Sequence, residues 1–104
     1  MYKTTVDTED FQPYGEGDQQ AGDVHWIREG VSGIWRVTTG QLPEHAPYEF
    51  QEQETIQVLE GAVRIVTEAG DDVALKPGDV AYFPKGTKSV WHFEFPFRKL
   101  FVHA

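Results

Sequence analysis

From Asp23 to the C-terminus, apolar and polar residues alternate in short runs that Gly and Pro keep interrupting. The β-prone runs cover 25–27, 33–39, 55–59, 62–67, 72–75, 80–83, 89–95 and 98–102. Turn residues stand between them at Gly30, Gly40, Glu60-Gly61, Ala69-Gly70-Asp71, Lys76-Pro77-Gly78 and Lys85-Gly86. No window of helical length carries an apolar period of about 3.6 residues, whereas period-two runs spaced this evenly predict an all-β sandwich or barrel. Residues 1–22 are polar and punctuated by Pro13, Gly15, Gly17 and Gly22. They read as an extended N-terminal arm with at most one short strand, leaving 23–104 as the β-barrel domain.

The alternation also says which side chains face inward. Val63, Ile65 and Thr67 share one face with Arg64 opposite, and Ser89, Trp91 and Phe93 share a face with Val90, His92 and Glu94 opposite. A segment running from Tyr48 into the next strand without a bulge puts Tyr48, Phe50, Glu54, Ile56 and Val58 on one face. These residues predict a cavity lined by rings and one carboxylate. Tyr48, Phe50, Glu54, Ser89, Trp91 and Phe93 are the candidate ligand-binding set.

Composition narrows the class. The chain has 104 residues, 39% of them apolar, which suits one domain with one core. It has no cysteine, which removes disulfides and thiolate chemistry. No apolar run is long enough to span a membrane, and Met1 to Asp7 lacks a signal core, so a cytoplasmic protein is expected. A net charge of −8 with scattered basic residues argues against nucleic acid as a partner. Asp7, Glu9, Asp10, Glu16, Asp18 and Asp23 lie between Lys3 and Arg28 with no base among them, and read as a solvated leader or an acidic surface for a cationic ligand.

Two spacings carry a family resemblance. Glu54-x6-Gly61 is followed by Gly78-x5-Pro84-x-Gly86-x2-Ser89. This resembles the cupin family, with motifs G-x5-H-x-H-x3-4-E-x6-G and G-x5-P-x-G-x2-H-x3-N, and implies a single antiparallel jelly-roll barrel. The stretch from Gly33 to Val102 is further similar to the cupin domain of (S)-ureidoglycine aminohydrolase. The residues that carry this are Gly33-Ile34-Trp35, Gly40, Glu54-Thr55, Val58-Leu59-Glu60-Gly61, Pro77-Gly78-Asp79, Phe83-Pro84-Lys85-Gly86, Trp91 and Pro96-Phe97-Arg98-Lys99. That resemblance implies a manganese site at Tyr48, Phe50, Glu54 and Ser89, where Glu54 is the one competent ligand. One carboxylate with Tyr and Ser does not make a set for Mn²⁺ or Zn²⁺, so no cofactor is expected, with Mn or another divalent ion the alternative.

Glu54 is therefore the candidate acid or base, and its other reading is a structural carboxylate paired with Tyr, Lys or Arg. Tyr48 is the natural hydrogen-bond partner. On that reading Glu54→Gln preserves the fold and gains stability near neutral pH. His25, His45, His92 and His103 show no metal spacing, and His45 is the one placed at the cavity rim, in a loop. Trp26, Trp35, Phe95 and Phe97 exceed what a small interior readily holds, which with the resemblance predicts a homodimer. The function expected is a small-molecule-binding cupin domain with a degenerate metal site. The alternatives are a metal-dependent enzyme acting on a C–N bond and a dimeric interaction module with a closed cavity.

Overall fold

The computed structural model describes residues 1–15 and 20–104. Glu16, Gly17 and Asp18, three of the residues assigned to the arm, lie outside the described residues. Eight strands follow in chain order: β1 (Gln12–Pro13), β2 (Asp23–Arg28), β3 (Ser32–Val37), β4 (His45–Glu49), β5 (Glu54–Thr67), β6 (Asp72–Leu75), β7 (Val80–Phe83) and β8 (Lys88–Val102). They take up more than half of the chain, and no helix occurs among the described residues. Among the described residues, no helix is long and apolar enough to cross a membrane.

The strands form one antiparallel sheet closed as a jelly roll around β5 and β8. These two pair from Thr55↔Val102 to Thr67↔Ser89. β8 also pairs with β3 and β4, while β5 also pairs with β6 and β7. The core packs on the inward face of that spine: Ile56, Val58, Val63, Ile65, Trp91, Phe93, Phe97 and Phe101 are all buried.

The turn expected at Glu60-Gly61 is instead a bulge inside the continuous strand β5, where the register shifts on both sides of Glu60. The bulge adds a residue to one strand, so the inward parity changes from Glu54, Ile56 and Val58 to Val63, Ile65 and Thr67. Gly61 takes φ 72°, and a Cβ there would stand 2.2 Å from the Pro96 carbonyl oxygen and 2.6 Å from that of Glu94. Only glycine accepts that backbone and that contact together.

β8 likewise runs unbroken through Pro96, where a gap between two strands is predicted. The ladder opens there, since β8 advances from Glu94 to Arg98 while β5 goes back only from Ala62 to Glu60. The missing N–H of Pro96 costs no ladder bond at such a place. The excess on β8 is even, so its odd-numbered residues keep facing inward to the end of the strand.

His45, placed in a loop by sequence, opens β4 opposite His92 with ring centroids 4.3 Å apart. Trp35 and Phe97 are buried, and Trp26 and Phe95 pack against the same core. The four rings thus fill the interior and form no exposed aromatic patch, which removes the surface argument for a dimer.

Candidate functional site

A cavity of about 440 Å³ opens at the end of the barrel where β5 begins and β8 ends. Trp35 of β3, Ala46 and Tyr48 of β4, and Trp91, Phe93 and Phe101 of β8 supply its apolar wall. Tyr14 and Ala21 of the N-terminal segment also line it, Ala21 held by its carbonyl accepting from Trp35 Nε1 at 2.8 Å.

Glu54 sits in this wall with 1% of its surface exposed. Two cation-capable groups meet it. Lys99 Nζ donates to Oε2 at 2.5 Å, and His103 Nε2 lies 3.0 Å from Oε1. The register explains both contacts. Thr55 pairs with Val102, so His103 is the next cross-strand neighbour of Glu54, and Lys99 pairs with Val58 two pleat repeats further along the same face, within reach of its long side chain. The His103 backbone N–H donates to Val31 O at 2.7 Å, which carries the β3–β8 ladder past the strand end and holds the imidazole in place.

Lys99 is itself buried, with the rings of Trp91, Trp35 and Phe101 around its ammonium at 4.8, 5.1 and 5.7 Å. Ring faces and a carboxylate are both favourable neighbours for an ammonium. Of the partners that the sequence left open to Glu54, a lysine is the one it meets, in place of the Tyr48 hydroxyl.

Of the candidate set, Tyr48, Glu54, Trp91 and Phe93 line the cavity, while Phe50 and Ser89 are not on its wall. Phe50 is fully buried and stacks on Phe83 at 4.6 Å, so it belongs to the core. Ser89 Oγ accepts from Trp91 Nε1 at 3.1 Å and donates to Tyr48 O at 2.8 Å, tying β4 to β8 behind the cavity. His45 is exposed and also lies off the wall. Tyr48 stands at the mouth, and burial first, then the charges of Glu54 and Tyr14, push its hydroxyl up to about 12. It remains a protonated hydrogen-bond donor at neutral pH. The Tyr14 hydroxyl is raised as well, by burial and then by Glu54.

Sequence reasoning missed Lys99 and His103 as wall residues. A signal for both was present: Phe97, Lys99, Phe101 and His103 continue the odd-numbered inward series of Ser89, Trp91 and Phe93. Treating Pro96 as a break between strands stopped the series short.

The divalent ion implied by the cupin resemblance does not fit these residues. Both oxygens of Glu54 are engaged by Lys99 and His103, and Lys99 brings a positive charge to the place where an ion would have to sit. Tyr48, Phe50 and Ser89 add no ligand set, and Ser89 Oγ is already bonded on both sides.

Comparison with known proteins gives the lineage. Residues 31–101 match the EutQ-like cupin domain. A DUF861 family protein from Thermotoga maritima is 30% identical, covering 68% of this chain and 76% of its own, with a TM-score of 0.59. The EutQ protein of Clostridium difficile is 18% identical over 68% of this chain and 67% of its own, at a TM-score of 0.52. A protein of unknown function from Rhizobium leguminosarum, 21% identical, covers 98% of this chain and 94% of its own at 0.65. No curated protein matches the chain. With a jelly-roll barrel already in view, the match across 31–101 shows that this chain belongs to the EutQ-like cupin domain family.

Proposed function

We propose that this chain is a small-molecule-binding cupin whose cavity uses a lysine–glutamate pair in place of a metal ion. The observation that carries the reading is Lys99, held on Glu54 inside an open, ring-lined cavity of about 440 Å³. A volume of this order is typical of small-ligand sites, and a ring-lined wall with few polar groups selects a flat, partly apolar molecule. Lys99 has one hydrogen on Glu54 and others to offer, so the ligand group that it orients is an oxygen acceptor such as a carbonyl or carboxylate. The C–N hydrolase reading that goes with the aminohydrolase resemblance needs an ion that these donors do not suit. The interaction-module reading needs a closed cavity, and this one is open at Tyr48.

Benzoate is a suitable probe, because its ring matches the wall and its carboxylate matches Lys99. Trp35 and Trp91 should report saturable binding as quenched fluorescence. Ala46→Leu, which fills the cavity from β4, should abolish the signal while circular dichroism stays unchanged. Absence of saturable quenching in the wild-type chain would reject the binding reading. Elemental analysis should find Mn, Fe, Zn and Ni well below one ion per chain, and one tightly held ion lost in Glu54→Gln would restore the metalloenzyme.

A further inference from the structure

Three groups on this wall have complementary proton chemistry. Glu54, as a carboxylate, can only accept, so the 3.0 Å contact places the proton of the His103 ring on Nε2. In the neutral ring the lone pair is then on Nδ1, which has no hydrogen-bond partner among the described residues, and His103 belongs to the cavity wall. A carboxylate behind an imidazole fixes the tautomer and stabilises the imidazolium formed when the outer nitrogen takes a proton. On the same wall Lys99 supplies a fixed positive charge, enclosed by rings and short of water, where a developing oxyanion would be stabilised strongly. Tyr48, at the mouth, adds a neutral hydroxyl donor.

We propose that the chain catalyses proton transfer at carbon next to a carbonyl, with His103 Nδ1 as the base and Lys99 as the stabiliser of the enolate oxygen. The inference rests on the binding reading above and names its substrate class: small, flat carbonyl compounds carrying an acidic α-hydrogen. In the step, Nδ1 forms a bond to the α-proton, and the C–H electron pair becomes the carbon–carbon double bond of the enolate. The carbonyl π pair moves onto oxygen beside Lys99. Return of a proton from the imidazolium to carbon, or to the oxygen to give the enol, closes the cycle with no oxidant and no leaving group. Glu54 touches neither atom that reacts and is a positioning residue for both His103 and Lys99.

Phenylpyruvate serves as the probe, since its ring suits the Trp35–Trp91 wall and its oxo-acid end suits Lys99. Loss of its C3 protons in deuterated buffer, followed by NMR with catalytic amounts of protein, reads the chemistry. Tryptophan fluorescence reads binding. The wild-type chain should accelerate exchange at least about 100-fold over buffer, and His103→Gln should bring the rate back to within about tenfold of buffer while the probe still binds. Lys99→Met should lose exchange as well. Probe bound without acceleration overturns this inference and leaves the binding reading standing. Probe not bound overturns both. Exchange that persists in folded His103→Gln removes His103 from the role, and the wild-type rate decides the matter even if a variant does not fold.

Discussion

Glu54 and Lys99 are each buried and each the partner of the other, at 1% and 8% exposure. Removing one member of such a pair leaves an unpaired charge in an apolar wall, so Glu54→Gln should destabilise the fold by about 3–5 kcal/mol. The acid–base reading of Glu54 had the opposite sign because it gave the carboxylate Tyr48 and no cation, whereas the paired-carboxylate reading has the sign found here. Lys99→Met should cost less, because Glu54 keeps its contact with His103 at 3.0 Å, and the double variant Glu54→Gln/Lys99→Met should lose less than the sum of the two single variants. Denaturant melts of the four chains give the coupling directly, and additive losses would mean that the pair contributes nothing as a pair. Tyr48 offers a second check at this scale. Its hydroxyl is held up to about 12, so absorbance titration should show a phenol, absent in Tyr48→Phe, that ionises well after an ordinary tyrosine. Between about pH 10 and the folded value, the unfolded chain has released this proton and the folded chain has not. Stability must therefore fall as pH rises through that window and is untouched by Tyr48 below it. Since the Glu54 charge is one cause of the shift, Tyr48 should titrate earlier in Glu54→Gln, and an unmoved value would show that Glu54 does not act on it.

The two long strands do most to place the site. β5 changes its inward parity at Gly61 and β8 keeps its own through Pro96, so Glu54 and Lys99 reach one wall from opposite strands. Gly61→Ala tests this arrangement. A left-handed backbone at a residue with a side chain costs about 1–3 kcal/mol. The added Cβ also presses on the carbonyls of Pro96 and Glu94, which are backbone and cannot swing away. We expect a loss at the upper end of that range, with a changed Lys99 environment visible in NMR spectra of the folded remainder. A variant as stable as the wild type would show that the bulge can relax without moving β8. The cross-strand arrangement of Ser89 is an element-scale device too, since its hydroxyl satisfies the Trp91 indole and anchors the Tyr48 carbonyl in one stroke.

At the scale of the molecule, the N-terminal segment is tied to the barrel by charge and by rings. Glu9 pairs with Arg36 at 2.8 Å and Arg98 at 3.2 Å, and Arg98 also donates to the carbonyls of Val6 and Thr8. Phe11 lies under the Arg36 guanidinium, 4.0 Å from its ring centroid. His25 meets Tyr2 OH at 2.8 Å and the Asp10 carbonyl at 2.7 Å. Part of the acidic leader is thus committed to two arginines, while Asp10 remains largely exposed. Deleting residues 1–11 takes every one of these partners from Arg98 except Glu60, which lies 3.8 Å from it. The deletion should lower the melting temperature by about 5–10 °C, as read by calorimetry. An unchanged melt would mean that the segment rides on the barrel without supporting it.

Period-two alternation and the Gly/Pro punctuation were enough to determine an all-β sandwich or barrel and the inward faces of its strands on either side of Gly61 and up to Pro96, because those patterns are local and the core enforces them residue by residue. The jelly roll came with the family resemblance. The spacing of Glu54, Gly61, Gly78, Pro84 and Gly86 carried the family. Glu54 could be named from the same spacing, and Trp91 and Phe93 from parity. The partner of Glu54 was decided only in three dimensions. Lys99 and His103 lie 45 and 49 positions away along the chain, and the regular β5–β8 pairing from Thr55↔Val102 to Val58↔Lys99 that brings them to one carboxylate is offset from the 62–67 pairing by two irregularities. A bulge shifts register by an amount that alternation alone does not reveal, because it depends on the backbone contact between Gly61 and the facing carbonyls. Phe50 and Ser89 went the other way for the same reason. Motif positions named them as wall residues, but packing against Phe83 and bonding to Trp91 turned one into core and the other into a strand tie.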